Sequence, residues 1–197
     1  MPLHAWSHRA LTRIAVPMPA APLDDTRRWL ERAVIGLNLC PFDKAVHAKG
    51  QVHLALSDAD DFGGALEALE RQAEELLGQA ASARDTTLLV VPHGFEDFLL
   101  FNELVRAGER LLVRRRWEGV LQLASFHPRF VFAGADEDAL SNHTNRSPWP
   151  TLHLLREDSV ARATEAFPDA SAIYEANVRT LERLGADGWR ALEVERT

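Results

Sequence analysis

One segment of the chain, residues 125–157, concentrates side chains that can take part in chemistry. It supplies imidazole rings, amides, hydroxyls and guanidinium groups, and three prolines stiffen the backbone between them. A ligand site needs donors of this kind on a backbone that holds them in place. The segment therefore predicts a site, and the candidate groups within it are His127, Asn142, His143, Asn145, Arg146, Ser147, Trp149 and His153.

His127 is the predicted acid or base of this site. Pro128 follows it and biases His127 toward extended backbone, so that the ring projects from the end of a strand. An imidazole titrates near neutral pH and can exchange a proton or bind a metal ion. The alternative is a structural histidine that bonds a loop carbonyl. His93 also follows a predicted strand, in a setting with fewer polar neighbours.

Arg146 is the predicted anion-binding residue. Its planar guanidinium matches the geometry of a carboxylate or phosphate. Asn145 and Ser147 can orient the same anion, and Trp149, held between two prolines, can form a wall or lid. The alternative is a structural loop in which the Asn and Ser side chains bond their own backbone.

Cys40, in the string NLCPF, is a candidate nucleophile or redox group. The pattern predicts that the first helix ends at Pro41, which places Cys40 at a helix C-terminus. The helix dipole raises the pKa of a thiol there, and this favours a buried structural thiol. A histidine or Lys44 brought close by the fold would favour a reactive thiol instead.

His153 lies inside a predicted strand, where alternation puts Leu152 and Leu154 on one face and His153 on the other. It either joins His127 at the site or is a satisfied core histidine. A metal variant of the site would use ligands from among His93, His127, His153 and Glu157. The chain contains no HExxH, CxxC, P-loop or GxGxxG motif. The sequence therefore does not identify a cofactor.

Composition narrows the class of protein. The chain has 197 residues, 46% of them hydrophobic, with a net charge of −7 and a pI of about 5.6. This acidic balance lacks the basic field that nucleic acid binding uses, which argues against a nucleic acid partner. A single cysteine precludes an internal disulfide and favours a reducing, cytoplasmic location. No stretch of the sequence is long and apolar enough to span a bilayer.

The chain divides into a leader and one domain. Residues 1–23 contain no acidic residue and are rich in proline and alanine, which predicts a flexible leader. From residue 24 onward, helical and strand patterns alternate. The predicted helices cover residues 24–39, 61–78, 95–116, 159–167 and 172–184, and the predicted strands cover residues 52–56, 86–91, 120–125 and 151–155.

Alternating strands and helices are typical of the βαβ unit. Residues 24–197 therefore predict one α/β domain with a sheet of about four strands, mostly parallel, with helices around it. A ferredoxin-like sheet with an antiparallel member is the alternative. Ligands of parallel sheets bind beyond the carboxyl ends of the strands. That edge would carry Ser57, His93, His127 and the pair Arg156–Glu157.

Several strings resemble a bacterial family of uncharacterised proteins, domain-of-unknown-function family 1415. They are NLCPF near a helix end, FHP, TNRSPWPTLHLLRE and a closing LGxxGW. The resemblance covers residues 26–189. It implies one compact domain with a shared site built on Cys40-Pro41-Phe42, Phe126-His127-Pro128 and Asn145-Arg146-Ser147-Pro148, and it implies no activity.

Two functions follow from these residues. The first is an enzyme that acts on a small anionic metabolite, with Arg146 as the anion-binding group and His127 as acid or base. The second is a non-catalytic ligand-binding module, in which Cys40 can report the redox state. The sequence leaves the reaction, the metal question and the oligomeric state open.

Overall fold

A computed structural model describes residues 21–166 and 170–197 of the chain. The helices are α1 (Ala21–Trp29, continued by a π-helix over Leu30–Ile35), α2 (Pro41–Ala48), α3 (Phe62–Leu77), α4 (Phe98–Arg114), α5 (Glu157–Ala166) and α6 (Ala170–Ala191). The strands are β1 (Val52–Leu56), β2 (Thr86–Val90), β3 (Leu121–Phe126) and β4 (Thr151–Arg156), and a short 3₁₀ turn covers Leu140–Thr144. In the described ranges, every helix is too short or too polar to cross a membrane.

The four strands form one mixed sheet in the order β1-β2-β4-β3. β1 and β2 pair in parallel, whereas β4 pairs antiparallel with both β2 and β3. The prediction of a single α/β domain with a four-stranded sheet is confirmed. Three strands share one direction, and the antiparallel member that the sequence left open is β4.

The direction of β4 corrects the predicted edge of the sheet. Val90, at the end of β2, pairs with Thr151, at the start of β4. Arg156 and Glu157 therefore lie at the edge opposite His93 and His127, and their predicted place beside those histidines is wrong. The antiparallel pairing is the physical reason, because it reverses which strand end meets which edge.

Helices cover both faces of the sheet. On one face, α3 and α4 pack against Leu89, Leu152 and Leu154. On the other, α1 and α6 pack around Leu88, with Trp29 and Trp189 buried between them. The predicted alternation along β4 is confirmed, because Leu152 and Leu154 face one layer while His153 contacts Phe126 in the other.

The N-terminal region departs from the predicted boundaries. α1 begins at Ala21, so the last three residues of the predicted leader are helical, and residues 1–20 lie outside the described residues. The helical path that starts there ends near Leu37, and Pro41 then opens α2 at its first position. The first helix stops before Pro41, as predicted, but the helix that begins at Pro41 was not predicted, because proline fits the first turn of a helix as well as it stops one.

Five of the described glycines have a positive φ, which other residues rarely adopt, and two of them direct the chain near the site. Gly94, after β2, has a φ of 79°, and a Cβ there would lie 2.6 Å from the Asp60 carbonyl oxygen. Gly185 has a φ of 67° and breaks the path of α6. The first turn positions Phe95 beneath the sheet edge, and the second redirects the chain so that Trp189 returns toward α1.

Candidate functional site

A cavity of about 370 Å³ lies between α1, the loop before β4 and the chain that follows the kink in α6. It opens at the sheet edge where β3 ends and β4 begins. Its volume is near the lower end of the range for small-molecule sites. The residues that line it are Trp29, Pro128, His143, Arg146, Ser147, Pro148, Trp189, Val194, Glu195 and Arg196.

Arg146 is fixed in the wall of this cavity by backbone carbonyls. Its Nε donates to the carbonyl oxygen of Phe130 at 2.9 Å, and its Nη2 donates to that of Glu137 at 2.7 Å. The buried side chain of Asn142 holds the same loop, since it accepts from the Phe132 amide and donates to the Glu137 carbonyl. Within the described residues, Nη1 of Arg146 has no partner and no carboxylate forms an ion pair with it.

Arg196 forms another part of the wall. Its Nε donates to the Pro148 carbonyl at 2.5 Å, and its guanidinium lies 4.0 Å from the centre of the Trp149 ring. Stacking on an aromatic face orients a guanidinium without neutralising it. Both Nη atoms of Arg196 are without a hydrogen-bond partner in the part of the chain that the structure describes.

A buried carboxylate positions this wall. Asp25 is fully buried and accepts hydrogen bonds from the indole of Trp149, the guanidinium of Arg28 and the hydroxyl of Thr197. Burial raises the pKa of Asp25, but these hydrogen bonds outweigh it and leave the pKa lowered. Asp25 is therefore a carboxylate that ties Thr197 and the Trp149 loop to α1, and it orients Arg28, which donates to the carbonyls of Glu193 and Glu195.

His143 lies beside Arg146 with its ring stacked on Trp189, at 4.2 Å between ring centres. Burial and the nearby charge of Arg146 lower the pKa of His143 to about 4, so the ring is neutral at pH 7. Its Nδ1 atom is buried without a partner. An unpaired acceptor is better tolerated than an unpaired N–H, which assigns the proton to Nε2.

Two cavity residues carry buried polar atoms without a partner. Across the described residues there are four such atoms: those of Trp29 and His143 belong to the cavity lining, and the other two belong to Thr144 and Asp43. Each such atom costs about 1–3 kcal/mol of stability. Groups of this kind call for an explanation in a native protein, and a functional role is one of the explanations.

The comparison with protein families matches residues 22–191 to the family described as protein of unknown function (DUF1415). The chain belongs to the DUF1415 family. The search of curated proteins and the search of solved structures both returned no match. His143, Arg146 and Trp189 lie inside the matched residues, and Arg196 lies beyond them.

In this DUF1415 domain, His127 belongs to the core and does not line the cavity. Its ring is fully buried between Phe98 and Phe101. Nδ1 accepts from the Arg129 amide at 3.0 Å, which leaves the proton on Nε2 to donate to the Phe95 carbonyl at 2.9 Å. Burial lowers its pKa. This geometry is the loop-bonding alternative, and an acid–base role stays a prediction.

His153 lies on the opposite face of the sheet from His127. It is 3% exposed, and its Nε2 contacts the Thr86 hydroxyl at 2.6 Å. Thr86 gives its single hydrogen to the Leu154 carbonyl, so His153 is the donor in that contact. Burial lowers the pKa of His153. The two histidines therefore face different layers of the DUF1415 domain and do not share a ligand in this arrangement.

The remaining loop residues divide between structure and site. Ser147 lines the cavity, but its hydroxyl donates to the Trp149 carbonyl. Trp149 contacts Asp25 and Arg196 and so supports the wall from behind. Asn145 accepts from the His127 amide through its backbone carbonyl. Of the predicted anion-binding residues, the structure brings Arg146 and Ser147 to the cavity surface.

Cys40 lies away from the cavity, in a small apolar pocket of about 180 Å³ with Phe42 and Ile173. It occupies the N-cap position of α2 without a capping hydrogen bond from its side chain, so its predicted place at a helix C-terminus is corrected. The pKa of Cys40 is nevertheless raised to about 12 by burial and by the Asp43 carboxylate. The thiol stays protonated at neutral pH, and the Asp43 carboxylate that acts on it also acts on His153.

The predicted metal ligands are dispersed. His93 is exposed after β2, whereas Glu157 begins α5 at the far edge of the sheet. The described residues contain no group of three or more His, Cys, Asp or Glu side chains with metal-binding spacing.

His143 was a candidate in the polar segment but had no motif of its own and no predicted role. The sequence reasoning missed Trp189 and Arg196, which also line the cavity. Trp189 appeared only in the family-like string LGxxGW, and Arg196 had no local signal at all. The kink at Gly185 and the contacts of Asp25 bring the last two to the site, and neither is visible as a pattern in sequence.

Proposed function

We propose that this member of the DUF1415 family binds a small organic anion in the cavity beside Arg146. One observation carries the proposal: Arg146 is fixed by two carbonyls, lines the cavity and forms no ion pair within 4.0 Å among the described residues, so that Glu137 and Asp138 act on its charge only from a longer distance. A guanidinium held in this way is preorganised, so an anion that binds it costs little additional side-chain entropy.

The other lining residues fit a compact organic molecule. Trp29, Pro128, Pro148 and Val194 supply apolar surface, and His143 adds a neutral ring with an N–H at Nε2. Apolar walls with a few fixed polar groups are typical of small-molecule sites. Arg146 would bind the anionic group while these walls contact the rest of the ligand.

A binding role is favoured over acid–base catalysis by the surroundings of the histidines. For His127 to transfer a proton, its ring would have to break the hydrogen bond with the Phe95 carbonyl or with the Arg129 amide. The ring is also fully buried and does not line the cavity. His143 does line the cavity, and its low pKa makes it a weak base. The geometry thus supports ligand binding without a committed chemical step.

The test compares two variants that lose the same charge. Arg146→Gln removes the fixed guanidinium, and Arg129→Gln removes an exposed one close by. Calorimetric titrations would use succinate, benzoate and inorganic phosphate as probes, with thermal unfolding as a check on folding. We expect Arg146→Gln to weaken binding about tenfold or more, as loss of a charge-assisted hydrogen bond implies. Equal affinities in the two folded variants, or no binding of any probe to the unmodified protein, would overturn the proposal.

A further inference from the structure

We propose that the ligand carries two anionic groups, one bound by Arg146 and the other by Arg196, joined by a short apolar spacer. This inference rests on the proposed function, because it assigns a ligand class to the same cavity. It adds that the cavity recognises a dianion, such as a dicarboxylate or a phosphonocarboxylate, in preference to a single carboxylate.

The two guanidiniums belong to different walls. Arg146 is held by the loop that contains Phe130 and Glu137, whereas Arg196 is held by Pro148 and stacks on Trp149. The two arginines are thus held by different backbone carbonyls, and both line the cavity.

Neither cation forms an ion pair within 4.0 Å in the described parts of the chain, although other arginines such as Arg28 and Arg84 do. Carboxylates act on both only from a longer distance: Glu137 and Asp138 on Arg146, and Glu96 and Asp25 on Arg196. Two cations without a direct ion-pair partner at a cavity with apolar walls attract negative charge to both positions. A ligand with one anionic group would satisfy only one of them.

The surface between the two cations sets the nature of the spacer. Trp29, Pro128, Pro148 and Val194 are apolar, so the part of the ligand between its anionic ends is expected to be hydrocarbon. Glu195 also lines the cavity, and its carboxylate disfavours a third negative charge. The volume of about 370 Å³ suits a compact molecule.

The experiment measures how affinity depends on the length and charge of the probe. Linear dicarboxylates from malonate to adipate would be titrated beside monocarboxylates of the same length. A phosphonocarboxylate series forms a second arm, which distinguishes a carboxylate from a phosphate-like group at either end. We expect one length to bind about tenfold tighter than its monocarboxylate, the gain for one added charge-assisted hydrogen bond.

The variants assign each end of the ligand. Arg196→Gln should bring the ratio of dicarboxylate to monocarboxylate affinity close to one, and Arg146→Gln should weaken both probe classes. Arg129→Gln should leave the ratio unchanged. Arg196→Lys keeps the charge and should preserve part of the preference, which covers the case in which Arg196→Gln unfolds.

The outcomes separate this inference from the proposed function. If monocarboxylates bind as tightly as dicarboxylates of every length, the second anionic group is refuted while anion binding at Arg146 stands. A dicarboxylate preference that survives Arg196→Gln also refutes it. If neither probe class binds to the unmodified protein, both proposals fail.

Discussion

Two arginines of this protein, Arg84 and Arg146, are both held by hydrogen bonds but in opposite ways. Arg84 is 4% exposed and donates to the side chains of Gln72, Glu75 and Thr87, so its charge and its donors are used internally. Arg146 donates to backbone carbonyls and faces a cavity. The first arrangement stabilises the fold, and the second leaves binding capacity for a ligand.

This contrast teaches that burial alone does not identify a functional arginine. What distinguishes Arg146 is that its partners fix its position without neutralising it. Carbonyl oxygens carry only partial charges, so a guanidinium bound to them still attracts an anion. The same distinction separates His143, which has an unpaired ring nitrogen at the cavity, from His127, whose two nitrogens are bonded to backbone.

The largest expected effect comes from removing Arg84, the arginine whose donors are used inside the protein. Arg84→Met should lower the free energy of unfolding by about 3 kcal/mol, because Gln72 and Thr87 lose their partner inside the protein. The half-exposed Glu75 contributes less, since water can solvate it. Urea unfolding measures the change.

The control for Arg84→Met is Arg110→Met, at an exposed arginine of α4, for which we expect a change within about 0.5 kcal/mol. The affinity for the anionic probes should stay the same in Arg84→Met. A stability loss no larger than that of the control would show that the Arg84 network does not stabilise the fold.

The next effect concerns the carboxylate that links α1 to the cavity wall. Asp25→Asn should cost about 2 kcal/mol, because an amide replaces an acceptor shared by Trp149, Arg28 and Thr197. Hydrogen exchange should accelerate in residues 192–197. Asp24→Asn is matched to it, since Asp24 forms an exposed ion pair with Arg27 and should change little. Equal protection of residues 192–197 in both variants would contradict a positioning role for Asp25.

The pH dependence of stability tests whether His143 is neutral. Its folded pKa of about 4 lies below the ordinary value of 6.5, so between these values the unfolded chain binds more protons than the folded one. Stability is therefore full above pH 6.5 and falls as the pH drops toward 4. We expect His143 to contribute about 1 kcal/mol of this loss by pH 5, after a discount for solvent screening of its part-exposed ring.

In His143→Gln, the free energy of unfolding should fall by about 1 kcal/mol less between pH 6.5 and pH 5 than in the unmodified protein. The same substitution at His93, which is exposed and outside the cavity, should leave that loss of stability unchanged. Denaturant unfolding measured from pH 8 to pH 5 gives both curves. If His143→Gln retains the full slope, then His143 does not contribute to it, and its assignment as a ring with a lowered pKa fails.

The sequence predicted the elements of the fold better than their arrangement. Local periodicity located β1 and β4 within a residue or two. The direction of β4 was not predictable, because it depends on the path of the long loop after His127. α2 was missed because proline marks both helix starts and helix ends.

The site shows the same limit. Arg146 was identifiable because a guanidinium beside prolines and amides suits a ligand. The separation of His127 from His153 follows from the faces of β3 and β4, and these depend on strand register. Arg196 reaches the cavity through contacts with Pro148 and Trp149. Such tertiary contacts leave no trace in local composition.

The smallest expected effect concerns Cys40, which takes part in neither the Arg84 network nor the cavity at Arg146. Its pKa is raised from 9.0 to about 12, so the thiolate fraction at pH 8 is about a thousandfold lower than for an ordinary thiol. We expect Ellman's reagent to modify Cys40 slowly in the folded protein and at the ordinary rate in 8 M urea. Cys40→Ala should cost no more than about 1 kcal/mol, because the pocket that loses the sulfur is small and apolar. Rapid modification of the native thiol would contradict the structural assignment and revive the redox hypothesis, independently of whether the cavity at Arg146 binds an anion.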